Sequence, residues 1–343
     1  DQVERRAQRL SEEFNLDIRV RAIARSNSML LGDRRIDLGS WRERFERDAE
    51  SIDWEKFEAH VNPDHLPHPV IIDCTASSAI AARYGDWLRR GIHVITPNKK
   101  ALSDTYAYYQ ELIGNSRDGS AHYLYETTVG AALPVITTLR DLIDTGDEIH
   151  SIEGIFSGTL AYLFNVYDGS VPFSEIVRSA KESGYTEPDP RDDLSGMDVA
   201  RKLTILAREN NMPLEIGEFP VENLVPEHLQ NVSVNEFLDR LGEIDDDIAR
   251  RVDAAAKANR KLRYVAKLDR SGAASVGLVE VDAEHPFSNI NLTDNIVQFQ
   301  TARYSANPLV IQGPGAGPEV TAGGVFGDLL RLAKYLSAGA WND

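Results

Sequence analysis

Only one cysteine, Cys74, occurs in the 343 residues, so no disulfide can form within the chain. That scarcity suits a reducing, cytoplasmic setting. Cys74 ends the apolar run Val70-Ile71-Ile72-Asp73-Cys74 and reads as a buried strand thiol rather than a nucleophile. Positive charge is also short: 37 Lys and Arg stand against 54 Asp and Glu, a net charge of −17. Nucleic-acid binding through a basic face is disfavoured, and an anionic ligand needs a local cluster of donors. No apolar run reaches the ~18 residues of a membrane span, and no signal-peptide pattern opens the chain. The most consequential absence concerns glycine. A dinucleotide-binding fold opens with a strand, a G-x-G-x-x-G loop and a helix, and no such loop stands at the right place here.

What is present reads as the same fold from its first helix onward. Residues 1–15 form a helix and residues 18–24 the second strand. Ser40 caps a long amphipathic helix through Trp41, Phe45 and Phe57. Residues 70–74 are a buried strand, 78–90 a helix stopped by Gly91, and 93–96 a short strand. A helix around residues 106–113 leads to a strand at 122–126. Strand and helix in alternation argue for a parallel, doubly wound sheet. The central first strand and its glycine loop are expected upstream of Asp1, because a sheet without them leaves two apolar strand edges unpaired. The loop at residues 62–69 is proline-rich and holds His65 and His68. With His60 these could ligate a metal, but no ligand-spacing motif supports it.

The middle of the chain changes character. Residues 149–156, 262–268, 274–281 and 296–305 are strands separated by helices, or by the turn Arg270-Ser271-Gly272, which suits an α+β domain with a mixed or antiparallel sheet. A strand at residues 308–312 runs into Gly313-Pro314-Gly315-Ala316-Gly317, and residues 321–336 are an apolar helix.

Candidate ligand groups fall at strand ends. The second strand ends in Ala24-Arg25-Ser26, where an acidic residue would grip the ribose of NAD; Arg25 and Ser26 suit the 2′-phosphate of NADP instead. Thr75 and Ser77 follow the next buried strand, where small polar residues line a ligand crevice, although Ser77 also suits a helix cap. Thr128-Val129-Gly130-Ala131-Ala132 is a tight turn whose carbonyls could hold a cation.

The densest signal runs from Gly184 to Lys202. It crowds Glu187, Asp189, Asp192, Asp193 and Asp198 into one segment, where they repel one another, and a cationic ligand such as an amino acid's ammonium would relieve the repulsion. A plainer reading makes Ser195 to Asp198 a capping box and Asp198 with Lys202, four apart on one helical face, a surface ion pair. Asn98-Lys99-Lys100 adds lysines at the carboxyl end of the parallel sheet. Reduction of a carbonyl needs a proton donor at the forming alkoxide, and a lysine with a lowered pKa can supply it.

These segments resemble homoserine dehydrogenase. The matching stretches are Thr96-Pro97-Asn98-Lys99-Lys100-Ala101, Ile152 through Leu160 with its Phe156-Ser157-Gly158-Thr159, Gly184 through Lys202, residues 308–312 with their glycine turn, and Val320-Thr321-Ala322-Gly323-Gly324-Val325. The chain is similar to the C-terminal part of a bifunctional aspartate kinase–homoserine dehydrogenase. The resemblance implies reversible reduction of L-aspartate 4-semialdehyde to L-homoserine with NAD(P)H, in threonine and methionine biosynthesis. By that resemblance Lys202 is the general acid/base, and Lys99 binds substrate and assists proton transfer. Glu187, Asp193 and Asp198 hold the substrate's polar groups. Asn98, Lys99, Gly184, Glu187 and Gly317 border the cofactor. Glu126, Val129, Ala131 and Leu133 bind a monovalent cation such as Na+. The implied fold is a Rossmann-like nucleotide domain, residues 1–132 with 308–343, and an α+β catalytic and dimerisation domain, residues 133–307. A homodimer or higher homo-oligomer is expected, with neither nucleic acid nor membrane as partner.

Two alternatives compete. An aspartate-semialdehyde dehydrogenase needs a thiolate, and Cys74 is the sole candidate. A non-catalytic dimerisation or regulatory fragment is the second, favoured by the missing glycine loop.

Overall fold

The structure, a computed structural model, describes residues 1–63, 66–118 and 121–338. The chain divides into two compact units. The first takes residues 1–98, 110–125 and those from 322 on; the second takes 99–109 and 126–321.

The first unit holds two small sheets. One is an antiparallel meander of β1 (Ala22–Ala24), β2 (Ser28–Leu31) and β3 (Glu50–Ser51). The other is parallel, β4 (Val70–Ile72), β5 (His93–Ile95) and β6 (Tyr123–Leu124), with Val94 facing both Ile71 and Tyr123. The parallel core joins Ile95 and Leu124 to Val325, Leu329 and Leu332 of the helix Pro318–Ala338. Burying each such side chain stabilises by roughly 1.5–3 kcal/mol. Chain stretches far apart in sequence therefore complete one core. The α/β reading holds for this unit.

Several local expectations do not hold. Residues 18–24 were expected in the parallel sheet, yet only Ala22–Ala24 is strand, and it pairs antiparallel with β2. The turn after it folds the chain straight back, with the Arg25 N–H donating to the Ser28 carbonyl at 2.8 Å. The long helix from Ser40 breaks into Trp41–Asp48 and Trp54–Val61 around β3, and the second half gains its own cap when Asp53 accepts from the Lys56 N–H. Residues 78–90 likewise split into Ser78–Ala81 and Tyr84–Arg89. Cys74 lies beyond β4 and is exposed, not buried, because the strand ends at Ile72.

The second unit is built on one antiparallel sheet. Its strands are β7 (Ile149–Ile155), β8 (Arg260–Asp269), β9 (Ala274–Asp282), β10 (Asp294–Thr301) and β11 (Leu309–Pro314), in the order β11-β10-β7-β8-β9. The β8–β9 hairpin turns where Asp269 accepts from the Ser271 and Ala273 N–H groups and Gly272 takes φ 88°. Ile155, Val265, Val281, Phe287 and Ile296 pack one core with Ala161 of the helix Gly158–Val166. Two placements differ from the expected domain boundary. Residues 309–314 pair with β10 and so belong to this sheet, and residues 99–109 and 126–132 belong to this unit.

Candidate active site

The helix Met197–Glu209 carries the centre of the site. It is amphipathic, burying Val199, Leu203, Ile205 and Leu206, and its start is set by Gly196 at φ 72°. A Cβ there would stand 1.9 Å from the Tyr264 hydroxyl, so only glycine fits. The capping box expected from Ser195 to Asp198 is absent. Ser195 instead receives the Met197 N–H and donates to the Asp192 carbonyl. Asp198, freed from capping, sits one turn from Lys202 and bridges two lysines: Oδ2 lies 2.8 Å from Lys202 Nζ and Oδ1 3.2 Å from Lys99 Nζ.

This is no surface ion pair. Lys202 is 8% exposed, and its Nζ also donates to the Phe156 carbonyl at 2.6 Å. Burial, then the Lys99 charge, lowers the Lys202 pKa against the opposing pull of Asp198. Burial pushes Asp198 upward, but the ammonium groups of Lys202 and Lys99 win and hold it well below the usual carboxylate range. A buried lysine with a lowered pKa, held by a carboxylate that stays ionised, is equipped to exchange a proton more readily than a free lysine.

The remaining acids divide by role. Asp189 caps the short helix Pro190–Leu194 and pairs with Arg191 at 2.6 Å, while Arg191 reaches the carbonyls of Leu229, Gln230 and Val232. It is a structural acid. Asp193 accepts from the Glu187 N–H at 2.8 Å and lies 2.8 Å from the Thr159 hydroxyl. Its pKa is pushed up to about 6 by burial first, and then by the charges of Glu187 and Asp198. The Glu187 side chain is exposed. Gly184, at φ 76°, ends the helix Phe173–Glu182, and Gly317, at φ 114°, precedes Pro318–Ala338. No hydrogen bond ties either glycine to Lys99 or Lys202 among the described residues.

Sequence reasoning gave no role to Phe156, Thr159, Tyr162, Tyr185 or Asn295. Tyr162 and Tyr185 stack at 4.6 Å, and the Thr159 hydroxyl lies 2.7 Å from the Tyr185 carbonyl. The available signal was Phe156-Ser157-Gly158-Thr159, a strand leading into a Ser-capped helix.

Within the first unit, Thr75, Ser77 and Asn98 gather around a residue the sequence did not single out, Asp73. Its buried carboxylate accepts from the Thr75 N–H at 2.8 Å, from Asn98 Nδ2 at 3.0 Å and from the Tyr84 hydroxyl. Asn98 also donates to the Ser77 carbonyl, and Ser77 caps the helix that follows. Asp73 thus fixes the loops at the carboxyl ends of β4 and β5, where open α/β sheets bind ligands. Arg25 and Ser26 are exposed after β1, with the Arg25 guanidinium over the Phe45 ring at 4.6 Å. Cys74 is crowded although exposed, and its thiol pKa is raised by desolvation and by Asp73, the reverse of what a thiolate nucleophile needs.

Glu126 is buried and accepts from the N–H groups of Ile136 and Thr137, at 2.8 and 2.9 Å, at the start of the helix Val135–Asp144. Its charge complements the helix N-terminus. The turn through Val129, Ala131 and Leu133 takes positive φ at Gly130 and Ala131, 77° and 53°. The Thr127 hydroxyl in that turn is buried without a hydrogen-bond partner among the described residues. Of the histidines weighed for a metal, His65 lies outside the described residues, and His60 Nε2 is 3.0 Å from the Gly32 carbonyl. Among the described residues no group of three or more His, Cys, Asp or Glu could hold a metal ion, and no helix is long and apolar enough to cross a membrane.

Comparison with known proteins agrees with this arrangement. The family model described as homoserine dehydrogenase matches residues 134–330, and that described as homoserine dehydrogenase, NAD binding domain, matches residues 1–126. A chloroplastic bifunctional aspartokinase/homoserine dehydrogenase 2 of Zea mays is 51% identical over 96% of this chain and 36% of its own length. The chain thus spans little more than a third of that relative. A homoserine dehydrogenase of Schizosaccharomyces pombe is 43% identical over 88% of this chain and 82% of its own. Among solved structures, a Candida auris protein described as of unknown function superposes with a TM-score of 0.86 at 38% identity, covering 93% of this chain and 92% of its own.

Proposed function

The chain belongs to the homoserine dehydrogenase family, and from that membership we propose that it interconverts L-homoserine and L-aspartate 4-semialdehyde with NAD(P). The observation that carries the reading is the buried Lys202, held by Asp198 between two lysines. In the oxidative direction neutral Lys202 takes the hydroxyl proton of homoserine as the carbon–oxygen double bond forms, and the carbinol hydrogen leaves as hydride. In reverse, Lys202 returns that proton to the alkoxide oxygen. Asp198 keeps Nζ in place and stays ionised throughout. Lys99 stabilises the developing negative oxygen, and Asp193 and Glu187 hold the substrate ammonium.

NAD(P), when bound, supplies the hydride acceptor or donor. The loops that Asp73 organises fit a nucleotide, with the small polar groups of Thr75, Ser77 and Asn98 at the strand ends. Arg25, which has no ion-pair partner among the described residues, suits a 2′-phosphate, and Ser26 lies beside it. The turn at Glu126, Val129, Ala131 and Leu133 suits a monovalent cation, with the Thr127 hydroxyl, unpartnered among the described residues, as an added oxygen ligand. The nucleotide domain takes both chain ends, the catalytic domain lies between them, and the enzyme works in the cytoplasm as a homodimer or higher homo-oligomer.

The test is homoserine-dependent reduction of NAD and NADP. Wild-type turnover is expected, and Lys202→Ala should lower kcat by about 10²–10⁴-fold with an unchanged circular dichroism spectrum. Unchanged turnover in that variant sinks the assignment of the proton donor. A folded wild type with no turnover favours a non-catalytic fragment instead.

A further inference from the structure

Asn295 belongs to none of the motifs that the sequence brought forward. It precedes Ile296 in β10, and Ile296 pairs with Ile155 of β7. The next step in that register faces Phe156, where the chain leaves β7 for the helix Gly158–Val166. Here a side chain continues what the backbone ladder began: Asn295 Nδ2 donates to the Phe156 carbonyl at 3.1 Å. The same carbonyl accepts from Lys202 Nζ at 2.6 Å. A carbonyl has two lone pairs, so these donors fill it.

The seat of this amide is unusual. Asn295 is 0% exposed, and its Oδ1 has no hydrogen-bond partner among the described residues. Leaving a buried acceptor unpaired is costly, and such groups call for an explanation. Gly315 makes room for it, since a Cβ there would stand 2.0 Å from Asn295 Cγ.

We propose that Asn295 is a positioning residue for Lys202, aiming the Phe156 carbonyl at Nζ and so fixing the direction left over for the substrate oxygen. The inference rests on the reading of Lys202 as the proton donor and acceptor. A charged lysine has three N–H groups. Asp198 and the Phe156 carbonyl take two, and the third direction points the transferable proton. After transfer the amine keeps its two hydrogens on the same acceptors, and its lone pair lies along that third direction. A carbonyl held by Lys202 alone is free to swing, and the direction is lost with it.

Two variants test this through the pH profile of kcat for homoserine oxidation, which rises as Lys202 loses its proton. Asn295→Asp keeps the shape but removes the donor and adds a negative charge near the ammonium, so the rising limb should move to higher pH. Asn295→Ala frees the carbonyl, which drifts from Nζ and leaves the charged form short of an acceptor. Its limb should move to lower pH, with kcat down by at least about tenfold and KM little changed. Opposite shifts support the inference, since a merely structural role does not move the limb in two directions. Unmoved limbs in an active protein, or a loss confined to KM, overturn it and leave the function intact. An inactive wild type sinks the functional reading. The labelling of Lys202 by acetic anhydride against pH, followed by mass spectrometry, then decides the positioning without turnover. Its midpoint should move up in Asn295→Asp and down in Asn295→Ala, and an unmoved midpoint overturns the inference. Should Asn295→Asp not fold, Asn295→Ala, which only removes volume, decides the question by the same two readouts.

Discussion

Thr159 has one hydroxyl proton and two acceptors within reach, the Tyr185 carbonyl at 2.7 Å and Asp193 at 2.8 Å. With Asp193 ionised, one of these contacts goes without a hydrogen. With Asp193 protonated, its own O–H donates to Thr159, Thr159 donates to Tyr185, and all three are satisfied. That arrangement agrees with the rise of the Asp193 pKa to about 6, caused by burial and by the charges of Glu187 and Asp198. Because Asp193 is assigned to the substrate ammonium, KM for homoserine should climb as pH falls through about 6. Asp193→Asn should weaken binding at neutral pH and flatten that dependence; a climb that survives in the variant assigns it elsewhere. The same group bears on stability. A carboxylate whose folded pKa is raised contributes fully below its unfolded value and loses that contribution as pH rises through about 6.

At the scale of elements, the site depends on how the chain segment 99–109 is fastened to the helix Met197–Glu209. Arg208 does this from inside. Its side chain is fully buried, donates to the Leu102 carbonyl at 2.6 Å, pairs with Glu215 at 2.8 Å and lies over the rings of Tyr106 and Tyr109. Arg208→Leu leaves the buried Leu102 carbonyl without its donor, while the abandoned Glu215 is partly exposed, so it should destabilise the second unit by about 1–3 kcal/mol. It should also lower kcat by loosening Lys99 from Asp198. Urea denaturation followed by circular dichroism, with kinetics on the folded fraction, checks both; a destabilised variant with wild-type kcat would detach Arg208 from the site.

The elements also explain what the sequence could disclose. Strands β7 to β10 were legible because stretches such as Ala274–Asp282 and Asp294–Thr301 interleave β-branched and aromatic residues with polar ones, which suits a sheet, and Asp198 with Lys202 because four residues make about one helical turn. The arrival of Lys99 on the other side of Asp198 had no local signature, since tertiary packing alone brings it there; the family resemblance named the residue but not the bridge. Asp73 and Asn295 were illegible for the same reason. The break at β3 was hidden because apolar spacing runs on from Phe45 to Phe57 while Glu50-Ser51-Ile52-Asp53 leaves the helix. That residues 309–314 pair with β10 was also out of reach, because a lone strand carries no mark of the sheet it will join.

Over the whole molecule, acid acts on the two units with opposite sign. In the first, His93 is buried, stacked on His122 at 5.4 Å with His68 at 6.1 Å, and its pKa is lowered to about 4 by burial and then by those neighbours. A base with a depressed folded pKa contributes stability above its unfolded value of 6.5, and that stability is lost as pH falls toward about 4. In the second unit, acidification relieves Asp193. Trp41, Trp54 and Trp87 lie in the first unit, and residues 99–109 and 126–321 contain no tryptophan, so tryptophan fluorescence reads the first unit while circular dichroism reads both. Between pH 7 and 5 the urea midpoint seen by fluorescence should fall further than that seen by circular dichroism. Midpoints that fall together would count against opposed responses.

The division of the chain has a consequence for synthesis. Apart from residues 99–109, the second unit is one uninterrupted stretch, and its sheet closes when β11 pairs with β10. The first unit is assembled from three stretches, and its parallel sheet lacks Val325, Leu329 and Leu332 until the last helix is made. On the ribosome, where domains form as they emerge, the one of these two units that is begun first is therefore finished last. Its apolar strands wait uncovered while the later-made sheet is already complete, and this interval is where a chaperone would find the nascent chain.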